Sequence, residues 1–80
     1  MPKVIPHYKL ETAFANEMSE IAKEPVRAKL CEDGDLVIFG TEIGCLRIAY
    51  KFRTEYNMRV LYSENMSTWV ITLYKYHKTQ

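Results

Sequence analysis

Glycine and proline are scarce in this chain, three of each in eighty residues, and cysteine and histidine are scarcer still, at two each. No uninterrupted apolar run approaches the ~20 residues that a membrane-spanning helix requires. Each shortage removes a class of function. The few glycines build no glycine-rich phosphate loop. His7 and His77 sit near opposite ends and form no HxxxH pair, and there is no GxSxG elbow and no convincing carboxylate pair. Cys31 and Cys45 are not a CxxC pair, and with the two histidines they match no zinc-ligand spacing. A nucleophilic cysteine needs a nearby base or another means of lowering its pKa, and no histidine is predictably close to either thiol. The sequence therefore assigns no catalytic residue, no cofactor and no metal ligand, and the expectation is a non-enzymatic protein. The opening residues, MPKVIPHYKL, carry two prolines and no secretion-type apolar stretch. That favours a cytoplasmic setting with reduced thiols and no membrane association.

Neither sign of charge dominates, with eleven basic and ten acidic side chains. The formal net charge is +1, which excludes nucleic-acid binding driven by bulk charge. The first forty residues hold five basic and seven acidic side chains, and the last forty hold six and three, so the second half is mildly basic.

What is present is patterned. Residues 1–80 are expected to form a single α+β domain. Lys3-Val4-Ile5 between two prolines suits a short edge strand. From Lys9 to Lys23, Leu10, Ala13, Phe14, Met18, Ile21 and Ala22 recur at three-four spacing, predicting an amphipathic helix that Pro25 ends. Val26 to Glu32 alternates, and Asp33-Gly34 then signals a two-residue type I′ turn. That turn pairs Leu30 with Val37 and Ala28 with Phe39, which puts those four toward the core. Arg27, Lys29, Leu36 and Ile38 fall on the opposite face. The acids Glu32, Asp33 and Asp35 at the tip read as solvated turn residues.

Thr41 suits a helix N-cap, with Glu42 beside the positive end of the helix dipole. A helix from Glu42 to about Tyr56 would bury Cys45, Leu46, Ala49, Phe52 and Tyr56. Arg47 and Lys51 would form a basic strip on its solvated side. The stretch from Leu46 to Arg53 also alternates with period two, so a strand competes with the helix there. The helix is preferred because Leu, Arg, Ala and Lys are good helix formers and β-branched residues are few. Finally, a loop at Asn65-Met66 pairs Tyr62 with Trp69, Val60 with Ile71 and Met58 with Leu73, placing those six on one face. Arg59, Leu61, Val70, Thr72, Tyr74 and Tyr76 take the other.

The expected fold is a two-layer α-β-β-α-β-β sandwich, a four-stranded antiparallel sheet with both helices on one face. The alternative is one N-terminal helix followed by a five-stranded meander or small barrel. In the sandwich, the uncovered sheet face carries Arg27, Lys29, Arg59, Leu61, Tyr74 and Tyr76, and it is the candidate binding surface. Tyrosine and arginine with interspersed aliphatics suit a protein partner. The same rings and cations suit RNA or another single-stranded nucleic acid. Homodimerisation through this face, or its coverage by the N-terminal segment, is the structural alternative.

In general character, the segment GTEIGCLRIAYKFRTEYN leading into NMRVLYSENMSTWVITLYKY, in a short chain with no catalytic motif, resembles the small accessory proteins that bacteriophages encode to inhibit or redirect host machinery, counter-defence inhibitors among them. That resemblance implies action by occupying the surface of a host or defence protein, or of its nucleic acid. It assigns no role to any individual residue.

Overall fold

A computed structural model describes residues 7–77. The order of elements is α1 (His7–Ala22), β1 (Arg27–Leu30), β2 (Leu36–Gly40), α2 (Glu42–Phe52), β3 (Met58–Ser63) and β4 (Thr68–Leu73). The four strands form one antiparallel sheet in the order β1-β2-β4-β3. Both helices pack on the same side of it. Met18 and Ala22 of α1 and Cys45, Ile48 and Phe52 of α2 bury against Leu30, Leu36, Ile38, Ile71 and Leu73. The two-layer α+β sandwich is thus the fold. The stretch Leu46 to Arg53, for which a strand competed, is helical through Phe52. The edge strand expected at Lys3 to Ile5 lies outside the described residues.

The two helix ends facing each other cap one another. Helix α1 closes with Lys23 in the left-handed region (φ 60°) and the Glu24 N–H bonded to the Ser19 carbonyl, which is the Schellman arrangement. Just beyond it, the Glu24 carboxylate accepts from the Thr41 N–H (3.2 Å) and from the Thr41 hydroxyl (2.6 Å). Thr41 Oγ1 in turn accepts from the Gly44 N–H and caps α2. In the other direction, Arg47 Nη1 donates to the Ala22 carbonyl at the negative end of α1. Gly44 leaves room for this contact, since a Cβ would lie 2.8 Å from the Glu24 carboxyl carbon and displace it.

The β3–β4 register is the expected one, with Met58, Val60 and Tyr62 opposite Leu73, Ile71 and Trp69. The β1–β2 register is not. Leu30 faces Leu36 and Ala28 faces Ile38, one residue away from the expected pairing. The cause is the turn. Gly34 N–H bonds to the Cys31 carbonyl, and Cys31 N–H to the Asp35 carbonyl. Gly34 has φ 96°, while Asp33 is absent from the positive-φ residues. Three residues therefore fill the loop, a type I turn followed by a left-handed glycine, rather than the two of a type I′ turn. One extra residue reverses every side chain of β2. Leu36 and Ile38 are buried, and Val37 and Phe39 move to the uncovered face.

Candidate functional site

The uncovered side of the sheet is a grid that follows from register. One row reads Arg27, Phe39, Val70, Leu61 across β1, β2, β4 and β3. The next reads Lys29, Val37, Thr72, Arg59. The three cations are exposed, and the apolar side chains between them are half-buried against one another. Among the described residues neither helix crosses this face. Arg27 is at the β1 edge, where it also lines a shallow groove of about 330 Å³ beside Tyr8, Thr12 and Ala15 of α1. The α1 layer reaches that edge through Glu11, whose carboxylate accepts from the Leu30 N–H at 2.7 Å. This occupies a backbone donor that an edge strand otherwise offers to other chains.

Of the six residues expected on this face, Arg27, Lys29, Arg59 and Leu61 are brought together on it. Tyr74 extends the alternation of β4 by one position, its N–H donating to the Asn57 carbonyl. Tyr76 is elsewhere. Lys75 adopts φ 56° and turns the chain. Its N–H donates to Asp35 Oδ1, and the His77 N–H donates to the Gly34 carbonyl, so the segment after β4 folds over the β1–β2 turn. This delivers Tyr76 to the helix side, edge-on to Phe14 and Phe52 and tilted on Tyr56 at 5.1 Å. Its hydroxyl donates to the Glu17 carboxylate. Burial, then the hydrogen bond to Glu17 and the nearby negative charge, push the Tyr76 phenol well above its ordinary value. The ring closes one end of the core and does not belong to the sheet face. Phe39, which the two-residue turn had sent inward, joins that face as an aromatic residue.

A second surface lies on the solvent side of the helices. Sequence reading placed Leu46 in the core stripe, but it is exposed, and Ile48 takes the buried position. With Ile43 and Tyr50, Leu46 forms an apolar strip along the outside of α2, and Ile21 of α1 floors the groove beside it. Arg47 and Lys51, the expected basic strip, border this groove together with Lys23 and Arg53. A signal for the strip was present in the sequence. Period-two alternation on a well-capped helix means apolar residues on two faces, because alternate residues lie about 200° apart around the axis.

The thiols offer little chemistry. Cys45 is fully buried, and its thiol pKa is raised by burial and by the Glu24 carboxylate, which disfavours the reactive thiolate. Cys31 is half-buried at the β1–β2 turn. Among the described residues no three His, Cys, Asp or Glu side chains converge in a metal-binding group, and no helix is long and apolar enough to cross a membrane. No protein-family model, curated protein or solved structure matches the chain.

Proposed function

We propose that this is a non-enzymatic binding protein that works by occluding a surface of a protein partner, with the uncovered sheet face as its contact. The observation that carries the reading is the row Phe39, Val70 and Leu61, bordered by Arg27, Lys29 and Arg59 on a face no described helix covers. Apolar centres with arginine at the rim are the common composition of interaction surfaces. The resemblance to phage accessory proteins supplies the class of target, a host or defence protein in the cytoplasm.

The test is a pair of substitutions on the outer strand, Arg59→Glu with Leu61→Lys. Neither position is in the buried core, so the melting temperature should stay close to that of the parent. The proteins captured from a nuclease-treated bacterial lysate should be lost. An unchanged set of captured proteins would retire the reading, and so would a concentration-dependent dimer that the same pair dissolves.

Phe39 beside Arg27 favours a second reading, in which a base of single-stranded RNA or DNA stacks on the ring and the cations meet phosphates. Affinity for mixed oligonucleotides would then fall steeply with salt through counterion release. Binding that does not respond to salt excludes it.

A further inference from the structure

Helix α2 is apolar on two sides. Its inner side, Cys45, Ile48 and Phe52, is consumed by the core. Its outer side leaves Ile43 59%, Leu46 53% and Tyr50 69% exposed, half of the large hydrophobic residues that the described chain exposes. At about 100° per residue, these three fall within a sixth of a turn of one another. Arg47 and Lys51 flank them on the α1 side, and Arg53 on the other. With Ile21 and Lys23 they line an open groove of about 610 Å³ that no acidic residue lines. Its arginines are already oriented. Arg47 is held on the Ala22 carbonyl, and Arg53 lies 3.9 Å over the Tyr50 ring and donates to the Tyr50 carbonyl.

We propose that this groove is a docking site for an acidic amphipathic helix of a partner protein. Ile43, Leu46 and Tyr50 would receive apolar side chains spaced i, i+3/i+4, i+7, and Lys23, Arg47, Lys51 and Arg53 would meet flanking carboxylates. The choice of occupant follows from the charge and the walls. Four cations without a lining acid disfavour a second copy of this chain, because a two-fold contact would set cations against cations. The walls are helices whose backbone groups are internally bonded, so an added strand finds no edge to pair with. Apolar contact at the centre with charge at both rims is the geometry of helix-in-groove recognition. The strip from Ile43 to Arg53 spans about 15 Å, or roughly three turns of a partner helix. The surface is separate from the sheet face, so this site stands or falls without the reading above.

The probe is a synthetic peptide of glutamate and leucine, about four turns long, with leucines at i, i+3, i+4 and i+7. Its controls are a scrambled peptide of the same composition and a lysine-for-glutamate analogue. Binding is followed by fluorescence anisotropy and mapped by amide shift perturbation in the ¹⁵N-labelled chain. The acidic helix should saturate, with shifts confined to residues 21–23 and 43–53. Leu46→Glu and Lys51→Glu should each weaken it at least about tenfold. Arg59→Glu on the sheet face should leave it unchanged. The proposal is overturned if the acidic peptide fails to saturate or binds no better than the scrambled one. It is also overturned if the shifts map to the sheet, if Leu46→Glu keeps full affinity, or if the groove instead binds single-stranded DNA or anionic phosphatidylserine vesicles in preference to the peptide.

Discussion

Gly44→Ala should destabilise the protein, although alanine is the better helix residue, and removing Glu24 should reverse the sign. The added Cβ would lie 2.8 Å from the Glu24 carboxyl carbon and 3.0 and 3.1 Å from its oxygens. The carboxylate is the end of a flexible chain, so it moves rather than the backbone. In moving it loses the Thr41 N–H and hydroxyl, its two donors at the start of α2. Hydrogen bonds to a charged group contribute up to about 1.5–3 kcal/mol each, and solvent at this exposed site reduces that to about 1 each. Against this loss of roughly 2 kcal/mol, replacing glycine within a helix gains about 0.5–1 kcal/mol. The net cost is about 1–1.5 kcal/mol, and each kcal/mol is about 4–8 °C of melting temperature in a domain this size. In a Glu24→Ala background the clash and the bonds are both gone, and Gly44→Ala should stabilise by about 0.5–1 kcal/mol. Urea unfolding of the four proteins, followed by Trp69 fluorescence and far-UV circular dichroism, measures the coupling directly. If Gly44→Ala has the same effect in both backgrounds to within about 0.5 kcal/mol, the reciprocal capping of the two helices is wrong.

Two further outcomes follow from the core. Leu36→Ala should cost about 2–5 kcal/mol because Leu36 is fully buried, whereas Val37→Ala, at a half-buried position on the uncovered face, should cost about 1; the reverse order in urea midpoints would refute the β1–β2 register. Stability should also fall at high pH. Burial and Glu17 raise the Tyr76 phenol, and burial and Glu24 raise the Cys45 thiol, so the folded state holds these protons when the unfolded state releases them. The loss begins above the ordinary thiol value of about 8.5 and steepens above the phenol value of about 10. Tyr76→Phe should flatten the steeper part in midpoints measured from neutral to alkaline pH, and an unchanged slope would count against a phenol raised by burial and Glu17 in the folded state.

The helices and the second hairpin were legible because their signals are local. The Thr41 cap, the three-four stripe of α1 and the tyrosine, tryptophan and β-branched pairs of β3–β4 are each decided within about a dozen residues. The β3–β4 loop has four residues, Glu64 to Ser67, rather than two, yet the register is unaffected. Two residues more leave the alternation intact, whereas one residue more reverses it. That parity is why one hairpin was read correctly and the other was not. At Asp33-Gly34 the sequence is compatible with two-residue and three-residue loops. The choice between them moves Phe39 and Val37 onto the candidate binding face and Leu36 and Ile38 off it.

By itself, then, the chain determined its element order, the N-cap of α2 and the pairing of its last two strands, all of which rest on neighbours in sequence. Tertiary contacts decided which face of β2 is inside, where Tyr76 goes and which of the two apolar sides of α2 meets the sheet. Leu36 and Ile38 are held inward by Met18, Ile48 and Ile71 from distant segments. Tyr76 is drawn across by Phe14, Phe52 and Glu17 once Lys75 turns the chain. A helix with two apolar sides fits the sheet with either, and the caps shared with α1 through Glu24 and Arg47 fix the rotation that buries Ile48 and leaves Leu46 outside.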